Sequence, residues 1–377
     1  MTNNTIQMTA GAVDYSRWIP SRGALPMVSA RSVAFKSVYQ EAIARLKWLC
    51  HTDHEVLLIS ASGTGGIEAV ITNAFSPGDQ VLVLSNGFFG DQLDFMAQAF
   101  GLNCTKIDFD WQRPYDIGTV AKFLNSDDGE GLKGVFAVHL ETSTGIVNDI
   151  KAIGELLKGR ELLFVVDAVS SLGTCEVQVD RWGIDALVSV SYKGLLSPPV
   201  LCPIVLSERF IAAMRNCSRS VHYFDLARAV RYRERSITPW TPAVPTILFL
   251  NESLKKLELI GLESHFKQCR KLADELRNML ADLNLPLFGV ESWSNGVTTV
   301  MPPSAIDVTE FISILEEEYG LIVSGGLGKL KGKTMRFGHY GNITLSDLDY
   351  VRTRLADALR RHGCPTGILA RRDTKLR

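Results

Sequence analysis

Three short stretches carry residues whose types and spacing could do chemistry. In "SVSYKGLLSPP" (189–199), Lys193 follows "DALVSVS", a run of small and β-branched residues that reads as a buried strand. Lysine is among the residues least often buried. An amine at that place either reaches water along its alkyl stem or is a nucleophile made reactive by desolvation. In "FVVDAVSSLG" (164–173), Asp167 follows three apolar residues. A carboxylate at the C-terminal end of a parallel strand faces the crevice where α/β sheets bind ligands, unless it merely caps the next turn. In "SASGTGGIEAV" (60–70), glycines follow a strand and open a helix. Ser62, Gly63 and Thr64 would turn free N–H groups and the positive end of the helix toward a phosphate; the plain alternative is a tight turn. This stretch fails the GxGxxG dinucleotide pattern, which needs glycine where Glu68 stands, and it lacks the Gly-Lys-Ser/Thr of a nucleoside-triphosphate loop. A phosphate cradle, an amine for an aldehyde and an acid for a ring nitrogen are together what pyridoxal phosphate requires.

The elements that must position these groups follow an α/β rhythm. "VLLIS" (56–60), "VLVLS" (81–85), "GVFAVHL" (134–140), "LLFVVDA" (162–168) and "DALVSVS" (185–191) are apolar on both faces, as buried strands of a largely parallel sheet are. Helical patterns run from Thr64 to Phe75 and from Asp91 to Phe100. After about residue 240 the rhythm breaks. Residues 242–283 read as mainly helical, interrupted near Gly261. A strand at 296–303, a helix at 307–320, strands around "LIVSGG" and "TMRFGHYG", and a last helix from Leu345 to His362 make a smaller α+β unit. The expected division is an N-terminal arm (1–20), a large domain (21–245) and a small domain (246–377).

The 377 residues are more than one core usually supports. With 46% hydrophobic and 21% charged residues and a formal net charge of −1, the chain is an ordinary globular mix. Nothing in it marks a nucleic-acid face or an anionic membrane surface. The basic end "ARRDTKLR" reads as a solvated tail. The polar start lacks an apolar core, so no signal peptide is expected, and no apolar run is long enough to cross a bilayer. Seven cysteines without CxxC spacing fit reduced thiols and a cytoplasmic location. Seven scattered histidines give no metal-ligand spacing, so no metal is expected.

Eight motifs in order, "SASGTGGIEAV", "SNGFFG", "HLETSTG", "VDAVSSLG", "WGIDALVSVSYKG", "TPAVPTI", "GGLGKLKGK" and "RFGHYGN", resemble the class V aminotransferases of pyridoxal-phosphate fold type I. The chain is most similar to their serine–pyruvate/alanine–glyoxylate branch, with 2-aminoethylphosphonate–pyruvate aminotransferase a near relative. The resemblance implies a large domain with a mostly parallel seven-stranded sheet and a small α+β domain. It implies that Lys193 forms the Schiff base with the cofactor and shuttles the proton, and that Asp167 pairs with the pyridine nitrogen. Val169 and Phe89 would pack on the two ring faces. Ser62, Gly63 and Thr64 would bind the phosphate, with Tyr192 near it where the branch often has an amide. Thr144 would lie near the ring hydroxyl, Thr241 would reach the phosphate of a neighbouring subunit in a homodimer, and Arg336 would take the substrate carboxylate with its planar fork. The implied reaction is ping-pong transfer of an amino group from a small amino acid to a 2-oxo acid such as pyruvate or glyoxylate. Tyr192, Thr238 in place of a tyrosine, and an N-terminal segment without the branch's Gly-Pro opening leave a rival: a lyase or synthase using the same cofactor. A non-catalytic binding protein is opposed by Lys193, Asp167 and Arg336 occurring together.

Overall fold

A computed structural model of the chain describes residues 5–19, 27–218 and 221–364. The basic tail and parts of the N-terminal arm lie outside them. The centre is a seven-stranded sheet in the order β1-β7-β6-β5-β4-β2-β3. Its strands are β1 (Glu55–Ile59), β2 (Gln80–Ser85), β3 (Asn103–Asp108), β4 (Leu132–Val138), β5 (Leu163–Asp167), β6 (Ala186–Val188) and β7 (Cys202–Leu206). Only β7 runs antiparallel to its neighbours; the other contacts are parallel. The interior strands are buried on both faces, as their unbroken apolar runs require. The sheet is therefore mostly parallel, as expected, but two of its strands are not visible as apolar runs. β3 is a polar edge strand, and β7 contains Pro203, a residue normally kept out of central strands.

Helices cover both faces. α1 (Val33–Cys50) buries Phe35, Tyr39, Ile43, Leu46 and Cys50, one stripe at helical spacing. α2 (Gly63–Ala74) starts at Ser62, whose hydroxyl accepts from the Gly65 N–H at 3.3 Å. α3 (Phe88–Ala99) starts three residues before the expected Asp91. Its cap residue is Gly87, which has no side chain to signal a start; the acceptors come from elsewhere in the fold, as described below. α4 (Val244–Ile260) and α5 (Leu262–Asp282) are separated at Gly261, where φ is 80°. α4 packs on α1 and contributes Ile247, Leu250, Leu254 and Leu257 to the core beneath the sheet.

The smaller unit is a three-stranded antiparallel sheet of β8 (Val297–Val300), β9 (Ser324–Gly325) and β10 (Met335–Gly338), with α5, α6 (Val308–Glu317) and α7 (Leu345–Arg361) around its own core. α7 begins with a capping box between Thr344 and Asp347. The N-terminal segment ties the two units together. Ile6 and Gln7 pair with Leu321 and Ile322, and the Val13 N–H donates to the Tyr192 carbonyl at 3.0 Å. Among the described residues, no helix is long and apolar enough to cross a membrane, and no cluster of metal-ligating side chains occurs.

α2 can seat against the sheet only because Gly66 lacks a side chain. A Cβ there would meet Cys202 Sγ and lie 2.6 Å from Val188 Cγ1, both buried. Gly66→Ala is expected to cost about 1–3 kcal/mol by overpacking, read as a lower urea midpoint at unchanged m-value; an unchanged midpoint would show that α2 does not depend on this contact.

Candidate active site

The C-terminal ends of β1, β2, β5 and β6 open on one edge of the sheet, and the residues that follow them line one cleft of about 380 Å³. Gly63, Thr64, Phe89, Asp167, Val169, Tyr192, Lys193 and Arg336 all line it. Seven come from the large unit; Arg336 reaches in from β10 of the small one.

Lys193 sits just past β6 in a turn folded back on itself. The Ser191 N–H donates to the Leu201 carbonyl and the Leu196 N–H to the Lys193 carbonyl, both at 2.9 Å. Gly194 follows the lysine because a Cβ there would press on the Leu172 carbonyl and on Gly173. The result is a lysine only 5% exposed, its Nζ donating to Ser170 Oγ at 2.8 Å and lying 5.7 Å from the centre of the Phe89 ring. Burial lowers its pKa from 10.5 to about 8; the Asp167 charge opposes that shift and the Arg336 charge adds to it. The snorkelling alternative fails, since the amine ends inside the cleft.

Asp167 ends β5, paired on either side with Val138 and Val188. Its Oδ1 accepts from the Val169 N–H at 2.8 Å. Burial raises its pKa, against the Val169 hydrogen bond and the Lys193 charge. Arg336 is 6% exposed. Its Nε donates to the Gly325 carbonyl at 2.8 Å and its Nη1 to the Thr142 carbonyl at 3.2 Å. Among the described residues no carboxylate lies in salt-bridge range of it, and burial lowers its pKa. A buried cation without an anion costs several kcal/mol, a cost that an anionic ligand would relieve.

The first turn of α2 points its positive end at the cleft, with Thr64 and Ser62 exposed and Gly63 pressed against Val169. The Tyr192 phenol lies against the Gly63 backbone; burial raises its pKa and the Gly63 N–H opposes that. These donors suit a phosphate, Val169 and Phe89 offer apolar surface for a ring, and Asp167 and Lys193 are groups that could take a ring nitrogen and an aldehyde. The residues fit pyridoxal phosphate.

Three expected residues do not line this cleft: Ser62, beside it with its hydroxyl on the Gly65 N–H, and Thr144 and Thr241. Thr144 is buried in the hairpin formed by Leu140–Glu141 and Ile146–Val147, with its hydroxyl on the Glu141 carbonyl at 3.4 Å. The hydroxyl of this run that joins the site is that of Thr142, hydrogen-bonded to Ser170, the partner of Lys193. Both threonines lie in the tight turn between the two short strands, two residues apart, so strand alternation would not tell them apart; the turn's local geometry does, and the bare string "ETSTG" does not encode it. Thr241 lines a separate hollow with Tyr39, Phe224 and Trp240. Ser170, Thr142 and Glu141 are site residues that the motif reading passed over.

A family model described as "Aminotransferase class-V" matches residues 14–351. The chain is 34% identical over 322 residues to the soluble hydrogenase 42 kDa subunit of Anabaena cylindrica, covering 85% of this chain and 84% of that one. It is 33% identical over 326 residues to the L-aspartate–glyoxylate aminotransferase of Paracoccus denitrificans, covering 85% and 82%. The crystal structure of the ureidoglycine–glyoxylate aminotransferase of Bacillus subtilis superposes with a TM-score of 0.89 at 30% identity, covering 97% of this chain and 95% of that one.

In the folded chain Lys193 binds its proton less tightly than in the unfolded chain. Its burial therefore opposes folding below pH 8, and that cost is relieved as pH rises from about 8 toward 10.5. Two results are expected of the protein stripped of any bound cofactor. Acylation of Lys193, mapped by peptide mass, should reach half its maximal rate near pH 8, and the wild type should gain stability relative to Lys193→Met across that same window. A midpoint near that of ordinary lysines would contradict the desolvated amine.

Proposed function

Because the chain belongs to the class V aminotransferases, which are pyridoxal-phosphate enzymes, we propose that its cleft binds that cofactor and transfers the amino group of a small amino acid to glyoxylate or a similar 2-oxo acid. The observation that carries this reading is the buried Lys193 amine sharing one cleft with Asp167, the α2 N-terminus and an unpaired Arg336. Relatives named for glyoxylate as acceptor support the choice of acceptor.

Each residue has a part. Ser62, Gly63 and Thr64 hold the phosphate at the helix N-terminus, with the Tyr192 phenol beside them. Val169 and Phe89 pack on the ring. Asp167 would keep a proton on the ring nitrogen, and its burial would keep that interaction strong. When bound, the cofactor supplies an aldehyde for the amine and a ring that accepts the electron pair released at the substrate's Cα. Arg336 clamps the substrate carboxylate and so sets which bond at Cα stands ready to break. With its amine free and neutral, Lys193 would accept the proton from the substrate's Cα and donate it to the carbon that had been the cofactor's aldehyde. A pKa near 8 leaves a useful share of this amine neutral at physiological pH. Ser170 gives the released amine a place to rest within hydrogen-bonding distance. Thr241 completes the phosphate site from a second copy of the chain, since within one chain it lies apart.

The test is the first half of the cycle. Cofactor-loaded protein mixed with single amino acids and no acceptor should release one oxo acid per site and then stop; adding glyoxylate should restart it with formation of glycine. Elimination products without amine-for-oxo exchange would refute transamination. Arg336→Gln should lower kcat/KM by roughly 10²–10³ while leaving cofactor affinity unchanged; full activity would remove Arg336 from the carboxylate site.

A further inference from the structure

Glu141 is fully buried at the edge of the site, yet it does not line the cleft. Its carboxylate takes four donors. Oε2 accepts from the N–H groups of Phe89 at 3.0 Å and Gly90 at 3.1 Å. Oε1 accepts from the Ser143 N–H at 3.0 Å and from the Ser143 hydroxyl at 2.6 Å. Ser143 Oγ in turn accepts from the Phe88 N–H at 3.0 Å. The first three N–H groups of α3 are thus satisfied by a hairpin 50 or so residues away, in place of the cap side chain that Gly87 lacks. Gly87 itself must be glycine, because a Cβ would meet the Glu141 side chain and lie 2.7 Å from Ser143 Oγ. All four contacts demand an acceptor, so an amide cannot replace the carboxylate without turning its NH₂ toward an N–H or O–H donor.

The same hairpin touches the other groups of the site. The Thr142 carbonyl takes Arg336, and the Thr142 hydroxyl bonds Ser170, which bonds Lys193. Phe89, whose backbone Glu141 grips, carries the ring beside Lys193. We infer that Glu141 is a positioning residue: it fixes the start of α3 and thereby sets the Phe89 ring against the cofactor. This rests on the reading of the cleft as a pyridoxal-phosphate site. Glu141 acts through Phe89 and not by touching the cofactor.

Glu141→Gln tests it with two readouts besides activity. In cofactor-free protein, amide exchange of a peptide spanning residues 86–93 should quicken by roughly tenfold or more, because hydrogen bonds to a charged acceptor are lost. In cofactor titrations the dissociation constant should rise by roughly tenfold, with a changed visible circular dichroism of the bound cofactor. In a Phe89→Leu background the further loss on adding Glu141→Gln should shrink, since the two act as a unit. Unchanged exchange, or unchanged affinity and dichroism, overturns the assignment, as does full additivity with Phe89→Leu. Should Glu141→Gln fail to fold, Ser143→Ala removes the Phe88 acceptor and one Glu141 donor and must move the same readouts in the same direction. A wild type that takes up no pyridoxal phosphate would refute the cofactor reading, while the exchange measurement still decides whether Glu141 holds α3.

Discussion

A lysine amine kept out of water beside a carboxylate that is also kept out of water is the constraint on which the structure turns. Either charge alone would be expensive to bury. Together Lys193, Arg336, Asp167 and Glu141 place two basic and two acidic groups in one small volume; the basic ones donate to Ser170 or to backbone carbonyls, and the acidic ones accept from backbone N–H groups or Ser143. The balance is incomplete in one respect: among the described residues Arg336 touches carbonyls but no carboxylate. A ligand that brings a carboxylate would remove that deficit.

The fold reaches this arrangement by running several strands to the same edge of one sheet. Strand ends are stiff, so groups on the loops just beyond them are held to a narrow range of positions. Close backbone approaches then set the depth of each loop: Gly194 against Leu172 and Gly173, Gly63 against Val169, and Gly87 against Glu141. The arginine comes from the smaller unit, so its place in the cleft depends on how that unit is seated. The N-terminal segment fastens it, pairing with Leu321 and Ile322, accepting from Tyr340 through Ala10, and donating from Val13 to the residue before Lys193.

Much of this was legible in the residues. Continuous apolar runs announce the buried strands, and a lysine, an aspartate and a glycine-rich turn at their ends announce a cleft. What stayed hidden was set by distant partners. α3 begins at Phe88 because Glu141 and Ser143 cap it from another hairpin, and no local signal marks that start. β3 carries no apolar run because it is an edge, and β7 is disguised by Pro203. Thr142 and Thr144 differ only in which way a short hairpin turns them. Thr241, expected to serve a second subunit, lies in a separate hollow of its own chain.

The most direct test of the buried-amine account is covalent mapping. Wild-type protein loaded with pyridoxal phosphate is reduced with borohydride, digested and sequenced by mass spectrometry, alongside Lys193→Ala. The account predicts a phosphopyridoxyl group on Lys193 alone, and no such group anywhere in the variant. A label on a different lysine, or the same extent of labelling once Lys193 is removed, would contradict it.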